Sequence, residues 1–185
     1  MILAIDPGNI ESGYVFIDKK TLKPIYAAKM KNDDVLKMIK SDTFYVEYVA
    51  IEMVASYGMA VGATVFETCV WIGRFYEAIK ENLDIESTFI YRKDEKLNIC
   101  GSMKAKDSNI VQALIDRFAP NTPNKGKGSK KEPGWFYGFK KDIWQAYAVA
   151  VTYSDIYMKG NKYEEDYINT SGCFACSHLL DNGSM

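Results

Sequence analysis

The first 28 residues hold three apolar runs with only short polar loops between them, and this restricts the fold more than any other feature. Ile2-Leu3-Ala4-Ile5 leads into Asp6 and the turn pair Pro7-Gly8. Tyr14-Val15-Phe16-Ile17 and Pro24-Ile25-Tyr26-Ala27-Ala28 follow, joined by a Lys-rich turn. Three strands so closely spaced are expected to form an antiparallel meander. The chain then changes rhythm. Residues 33–40 have helical spacing, with Val35, Leu36 and Ile39 on one side, and residues 45–51 read as a strand ending at Glu52. Val65, Cys69, Ile72, Tyr76 and Ile79 recur every three to four residues, which predicts a long helix from about Gly62 to Asn82. A fifth strand is expected over 87–91, a helix over 107–118, and a last helix from about Lys141 to Met158. This order predicts an α/β fold: a mixed five-stranded sheet, three antiparallel strands then parallel additions, flanked by helices.

One domain is expected over residues 1–158, and the polar remainder, 159–185, reads as a disordered tail. Within it, Cys173, Cys176 and His178 offer three soft ligands, one short of a structural zinc site. The four cysteines form no disulfide framework, and the N-terminus lacks the basic and apolar regions of a signal peptide. No window reaches about eighteen uninterrupted apolar residues, so no membrane span is expected. A reducing cytoplasm is the expected setting.

The net charge is −1, which argues against a nucleic-acid partner until its distribution is considered. Residues 91–141 carry twelve Lys and Arg against five Asp and Glu. Charge segregated in this way can attract a polyanion to one face. Residues 120–134, rich in Pro, Gly and Lys, form a loop longer than a compact domain usually needs, which points to a functional or mobile role.

The acids give the chemistry. Asp6 and Glu52 both end apolar strands, and side-by-side strands would bring both to one edge of the sheet. Asp142 opens an apolar helix, where the helix dipole favours negative charge. Each alone could be a turn or capping residue. Together, three converging carboxylates repel one another unless cations sit between them. Oxygen ligands in an incomplete cage suit Mg²⁺ or Mn²⁺, and two such ions about 4 Å apart can drive phosphodiester hydrolysis.

Four segments, in order, resemble the motifs of the RuvC-like Holliday junction resolvases. They are Ile5-Asp6-Pro7-Gly8 with Ser12-Gly13-Tyr14, then Ala50-Ile51-Glu52, then Lys104-Ala105-Lys106-Asp107-Ser108, then the helix from Asp142 to Thr152. The likeness covers about residues 1–157 and is greatest to phage-type members. It implies an RNase H-like fold, a homodimer in a prokaryotic or phage-infected cell, and paired nicks across four-way DNA junctions. It implies two Mg²⁺ ions, with Mn²⁺ able to substitute, on Asp6, Glu52 and Asp142. The family's last helix usually begins Asp-x-x-Asp, but the second position here is Gln145, which offers a carbonyl oxygen and no charge. Asp107 could compensate if its helix start faces the site.

Lys104 and Lys106 could hold the phosphate at or beside the cut, and Lys125, Lys127, Lys130 and Lys131 lie on the loop before the last helix. Such contacts position the backbone without reading bases. Tyr57, with Met53 and Met59, could wedge against junction bases, and Trp71 and Phe75 could belong to a dimer face or to the core. Rival readings are a junction-binding protein that has lost its chemistry at Gln145, and a broader debranching nuclease of phage replication and packaging. Sugar kinases and actin-like ATPases also open with a strand, an Asp and a glycine turn, but need a second half for which 185 residues are too few.

Overall fold

The computed structural model describes residues 1–159 other than 42, 57 and 59. Strands β1 (Ile2–Asp6), β2 (Glu11–Ile17) and β3 (Pro24–Lys31) form the meander. After helix α1 (Asn32–Lys40) come strand β4 (Tyr48–Met53), helix α2 (Ala63–Leu83) and strand β5 (Thr88–Tyr91). Helices α3 (Arg92–Cys100), α4 (Asp107–Phe118) and α5 (Lys141–Tyr153) complete the chain, and a π-helical turn, Ser154–Lys159, continues α5. The sheet order is β3-β2-β1-β4-β5, with β1–β2 and β2–β3 antiparallel and β1–β4 and β4–β5 parallel. This is the mixed sheet the sequence predicts, in RNase H-like order.

Alternation along the strands divides the core in two. Ile2, Ala4, Val15, Ile17, Ala50 and Ile90 face α4 and α5, while Leu3, Ile5, Tyr14, Phe16, Val49 and Ile51 face α1 and α2. Helix α5 is buried on almost every side from Ile143 to Tyr153, which explains its near-continuous apolar sequence. Each fully buried Ile, Leu or Phe contributes about 1.5–3 kcal/mol relative to exposure. The two layers therefore fix the sheet firmly on both faces.

Three boundaries differ from expectation. Residues 45–47 lie outside β4, with Tyr45 80% exposed and Glu47 engaged by the N-terminal ammonium and Lys19. Helix α3 was not expected. Its Asp94 and Glu95 in the first turn and its left-handed Gly101 (φ 65°) just past the end are ordinary helix punctuation, hidden in a segment that reads as merely basic. The third is the loop 120–134, which closes on itself. The Gly134 amide donates to the Lys127 carbonyl (3.0 Å) and the Phe136 amide to the Gly126 carbonyl (3.0 Å). Phe136 then enters an aromatic cluster with Phe139, Trp144 and Tyr147, tying the loop to α5.

Candidate active site

Strand parity sets the first two acids. Even-numbered residues of β1 and β4 face α5, so Asp6 follows Ala4 and Glu52 follows Ala50 onto that face. The parallel register pairs Ile5 with Ile51, one residue before each acid. Asp6 and Glu52 thus emerge side by side from adjacent strands, close enough for a hydrogen bond between their carboxyls.

Asp142 arrives from above, and a glycine makes room for it. Gly13 is the β2 partner of Asp6. A Cβ on Gly13 would lie 2.6 Å from the Asp142 carbonyl oxygen and 3.0 Å from its Cβ. Only a residue without a side chain lets the first turn of α5 settle onto β2 beside Asp6. The turn after Asp6 is held from below. Ser12 and Asn32 are both buried; Ser12 Oγ donates to Asn32 Oδ1 (2.6 Å) and accepts from the Gly8 amide (3.3 Å), and Asn32 Nδ2 donates to the Gly8 carbonyl (2.9 Å).

The structure adds three residues that the sequence reading missed. Glu95, one turn into α3, is fully buried. Its Oε2 accepts from Arg92 Nη1 at 2.6 Å. Arg92 also lies 2.6 Å from Asp107 and 4.0 Å from Glu52. On the other side, Lys29 of β3 bridges Asp142 (2.6 Å) and Glu11 (3.2 Å). Strand pairing places both cations: Lys29 is the register partner of Gly13, and Arg92 follows the strand beside Glu52.

Crowding of like charges shows in the acidities. The Asp6 carboxyl is pushed well above the usual carboxylate range, by burial first and then by Glu52, Asp142 and Glu95. Glu95 is pushed up by burial and by Glu52, against the opposing pull of Arg92. Among the described residues four side-chain oxygens are buried without a hydrogen-bond partner, those of Ser87 and Thr152 and, near this centre, Glu95 Oε1 and Gln145 Oε1. Gln145 lies one turn after Asp142 on α5, and both residues line the same cleft. An all-oxygen donor set with unsatisfied oxygens fits a hard divalent cation. Among the described residues, no three His, Cys, Asp or Glu side chains already stand at the spacing of one ion's ligands. Arg92 and Lys29 occupy carboxylate oxygens that an ion would need.

The remaining candidates lie around this centre. Asp107 begins α4, 68% exposed, and its carboxylate is turned to Arg92 rather than toward Asp6. An open cleft of about 490 Å³ is lined by Asp107, Lys127, Lys140, Lys141, Asp142 and Gln145, and a second by Asp6, Glu11, Lys29 and Asp142. Of the loop lysines, Lys127 lines the first of these clefts; Lys125, Lys130 and Lys131 are exposed, as are Lys104 and Lys106 at the start of α4. Tyr57, Met59, Cys173, Cys176 and His178 lie outside the described residues. Met53 packs against the α1–α2 layer, as do Phe75, fully buried, and Trp71, on which Arg74 stacks at 3.9 Å. The outward stripe of α2 is instead Phe66 and Val70, one helical turn apart and 63% and 62% exposed.

No family model matches the chain, and no curated protein matches it. Among solved structures it is similar to RuvC of Thermus thermophilus, at 18% identity and TM-score 0.59 over 86% of this chain and 96% of that one. It is also similar to T. thermophilus RuvC in complex with Holliday junction substrate, at 15% identity and TM-score 0.61 over 86% of this chain and 95% of that one. The likeness is one of fold.

Proposed function

We propose that this chain is a structure-selective endodeoxyribonuclease that cuts four-way DNA junctions, and other branched DNA, by divalent-metal-dependent hydrolysis of phosphodiester bonds. The observation that carries this reading is the convergence of Asp6 and Glu52 from adjacent parallel strands beneath Asp142, with the Gln145 oxygen buried and unsatisfied one turn further along α5. It sits in a fold shared with a RuvC seen in complex with a Holliday junction.

Asp6, Glu52 and Asp142 would hold the ions, with the Gln145 carbonyl oxygen as a neutral ligand. Bound there, two Mg²⁺ or Mn²⁺ ions would supply Lewis-acid activation of water and neutralise charge at the phosphate. The chain's own part is positional. The Ser12–Asn32 pair fixes the turn that follows Asp6, and Gly13 sets the height of Asp142 above it. Lys127, Lys140 and Lys141 line the cleft beside Asp142 and would hold neighbouring phosphates. The Phe66–Val70 stripe supports a homodimer through α2, since an apolar helix stripe exposed to water marks an interaction surface. No described helix is long and apolar enough to cross a membrane.

Replacement of Asp6 by Asn tests the reading. Cleavage of a labelled four-way junction in Mg²⁺ should be abolished while junction binding persists. Undiminished cleavage by that variant would sink the assignment. A protein that binds junctions but never nicks them, in Mg²⁺ or Mn²⁺, would instead support the rival in which Gln145 marks lost chemistry.

A further inference from the structure

Glu95 is not explained by what has been assigned so far. It is a carboxylate with no exposure to solvent, and a buried acid is costly unless every oxygen is satisfied. Only one is. Arg92 serves Oε2, and Oε1 is sealed from water with no partner. Arg92 is itself well supplied without Glu95, having Asp107 at 2.6 Å and Glu52 at 4.0 Å. A structural ion pair would leave neither oddity.

The chain path places Glu95 at the acidic centre. In the parallel register Glu52 pairs with Ile90 and Met53 with Tyr91, and α3 starts on the next residue. One helical turn then carries Glu95 back over the end of β4. Asp6 feels its charge, and Glu95 in turn feels that of Glu52. Across the same centre, the position on α5 that would complete a fourth carboxylate is Gln145, which is neutral.

Resting on the nuclease reading above, we infer that Glu95 supplies the fourth carboxylate of the metal centre, from α3 instead of α5, with its unpartnered Oε1 as the metal-facing oxygen. Arg92 holds the charge of Glu95 and Glu52 until an ion takes it over. The consequence is an exchange: ion binding draws Glu95 and Glu52 from Arg92 toward the cation, leaving Arg92 to Asp107.

The test is calorimetric titration of MnCl₂ into the full chain without DNA, so that binding is read apart from cleavage. Glu95→Gln should weaken Mn²⁺ binding by roughly tenfold or more, with no loss of melting temperature in the absence of metal. Gln145→Asp placed in the Glu95→Gln background should restore the affinity to within a few-fold of wild type. If Glu95→Gln binds Mn²⁺ as the wild type does while Asp6→Asn binds it weakly, the inference is overturned and the nuclease reading survives. If Asp6→Asn also binds as the wild type does, the reading beneath it fails too. Should Glu95→Gln not fold, the carboxyl ¹³C signal of Glu95 in the wild type decides. Movement during a MgCl₂ titration that saturates together with Glu52 supports the assignment, and a stationary signal overturns it.

Discussion

Replacing Gly13 by Ala adds one methyl group at the point where β2 and α5 meet, and it tests how the site is assembled. The new carbon would stand 2.6 Å from the Asp142 carbonyl oxygen, 2.8 Å from its carbonyl carbon and 3.0 Å from its Cβ. Ordinary contact begins at 3.4 Å, so the first turn of α5 must retreat by about 0.8 Å. The neighbours cannot yield cheaply, because the contacted atoms are mainly backbone and α5 is locked by its buried sides. Overpacking of this kind costs about 1–3 kcal/mol, or roughly 2–12 °C in melting temperature for a domain of this size. Activity should suffer more than stability. Asp142 is carried away from Asp6 and Glu52, and a misplacement near 1 Å can cost about 10²-fold in rate. Circular dichroism melts and single-turnover cleavage of a labelled four-way junction would measure the two effects separately. A variant that melts lower but cleaves within twofold of wild type would refute the claim that Gly13 sets the height of Asp142. One that loses neither would refute the close approach itself.

Two further outcomes follow from the charges. Asp6 and Glu95 hold their protons to higher pH in the folded protein than in the unfolded chain, so the folded state binds the extra protons. Their contribution to metal-free stability is greatest near the ordinary carboxylate values of 3.8 and 4.5 and declines as pH rises through the raised ones. Metal-free melting temperature should therefore fall as pH rises above the ordinary carboxylate range, and the stabilisation by added Mg²⁺ should grow as it does so, as ions and protons compete for the same oxygens; a Mg²⁺ effect that shrinks with rising pH would contradict this. Lys127→Ala and Lys140→Ala should each reduce the dependence of junction affinity on salt, lowering the slope of log K against log[salt] by about 1 with little change in melting temperature. An unchanged slope for both would remove that cleft from the DNA path.

The sheet was legible because its signals are periodic and local. Strand runs, turn pairs and the 3.6-residue rhythm of α2, α4 and α5 each come from burial on one face, and burial is what the two core layers impose. Helix α3 was not legible in that way. It carries Glu95 as its one buried residue, so it has no apolar stripe to announce it. Its markers were acids in the first turn and a glycine at the end, which are weaker than periodicity. The face of α2 on which Trp71 and Phe75 lie is left open by the sequence for a related reason. Trp71 and Phe75 look like surface candidates by size, but helix phase turns them inward and leaves Phe66 and Val70 outside.

The site shows the same division between what is local and what is not. Asp6 and Glu52 stand out because strand ends are visible in sequence and parity decides the face. Asp142 stands out because it opens an apolar helix. Glu95, Arg92 and Lys29 do not, because nothing in a residue's own neighbourhood says that a register pairing will bring it to an acid far along the chain. Lys29 is near Asp142 only because β3 pairs with β2 and Gly13 lets α5 down onto it. Those residues also explain how the protein tolerates its own acids. Asp6, Glu52, Glu95 and Asp142 crowd one face of the sheet, and a fold that relied on metal ions alone to offset them would be poorly stable before any ion arrived. Arg92 and Lys29 meet part of that charge from opposite sides, while burial pushes the Asp6 and Glu95 carboxyls above the usual carboxylate range and so favours their neutral forms. The same two cations would set a threshold for the proposed ions, since each would have to give up a carboxylate oxygen that a metal would take. If the proposed Mg²⁺ ions bind here, their affinity would depend on how readily Arg92 can shift toward Asp107, a residue that holds no place in the acidic centre itself.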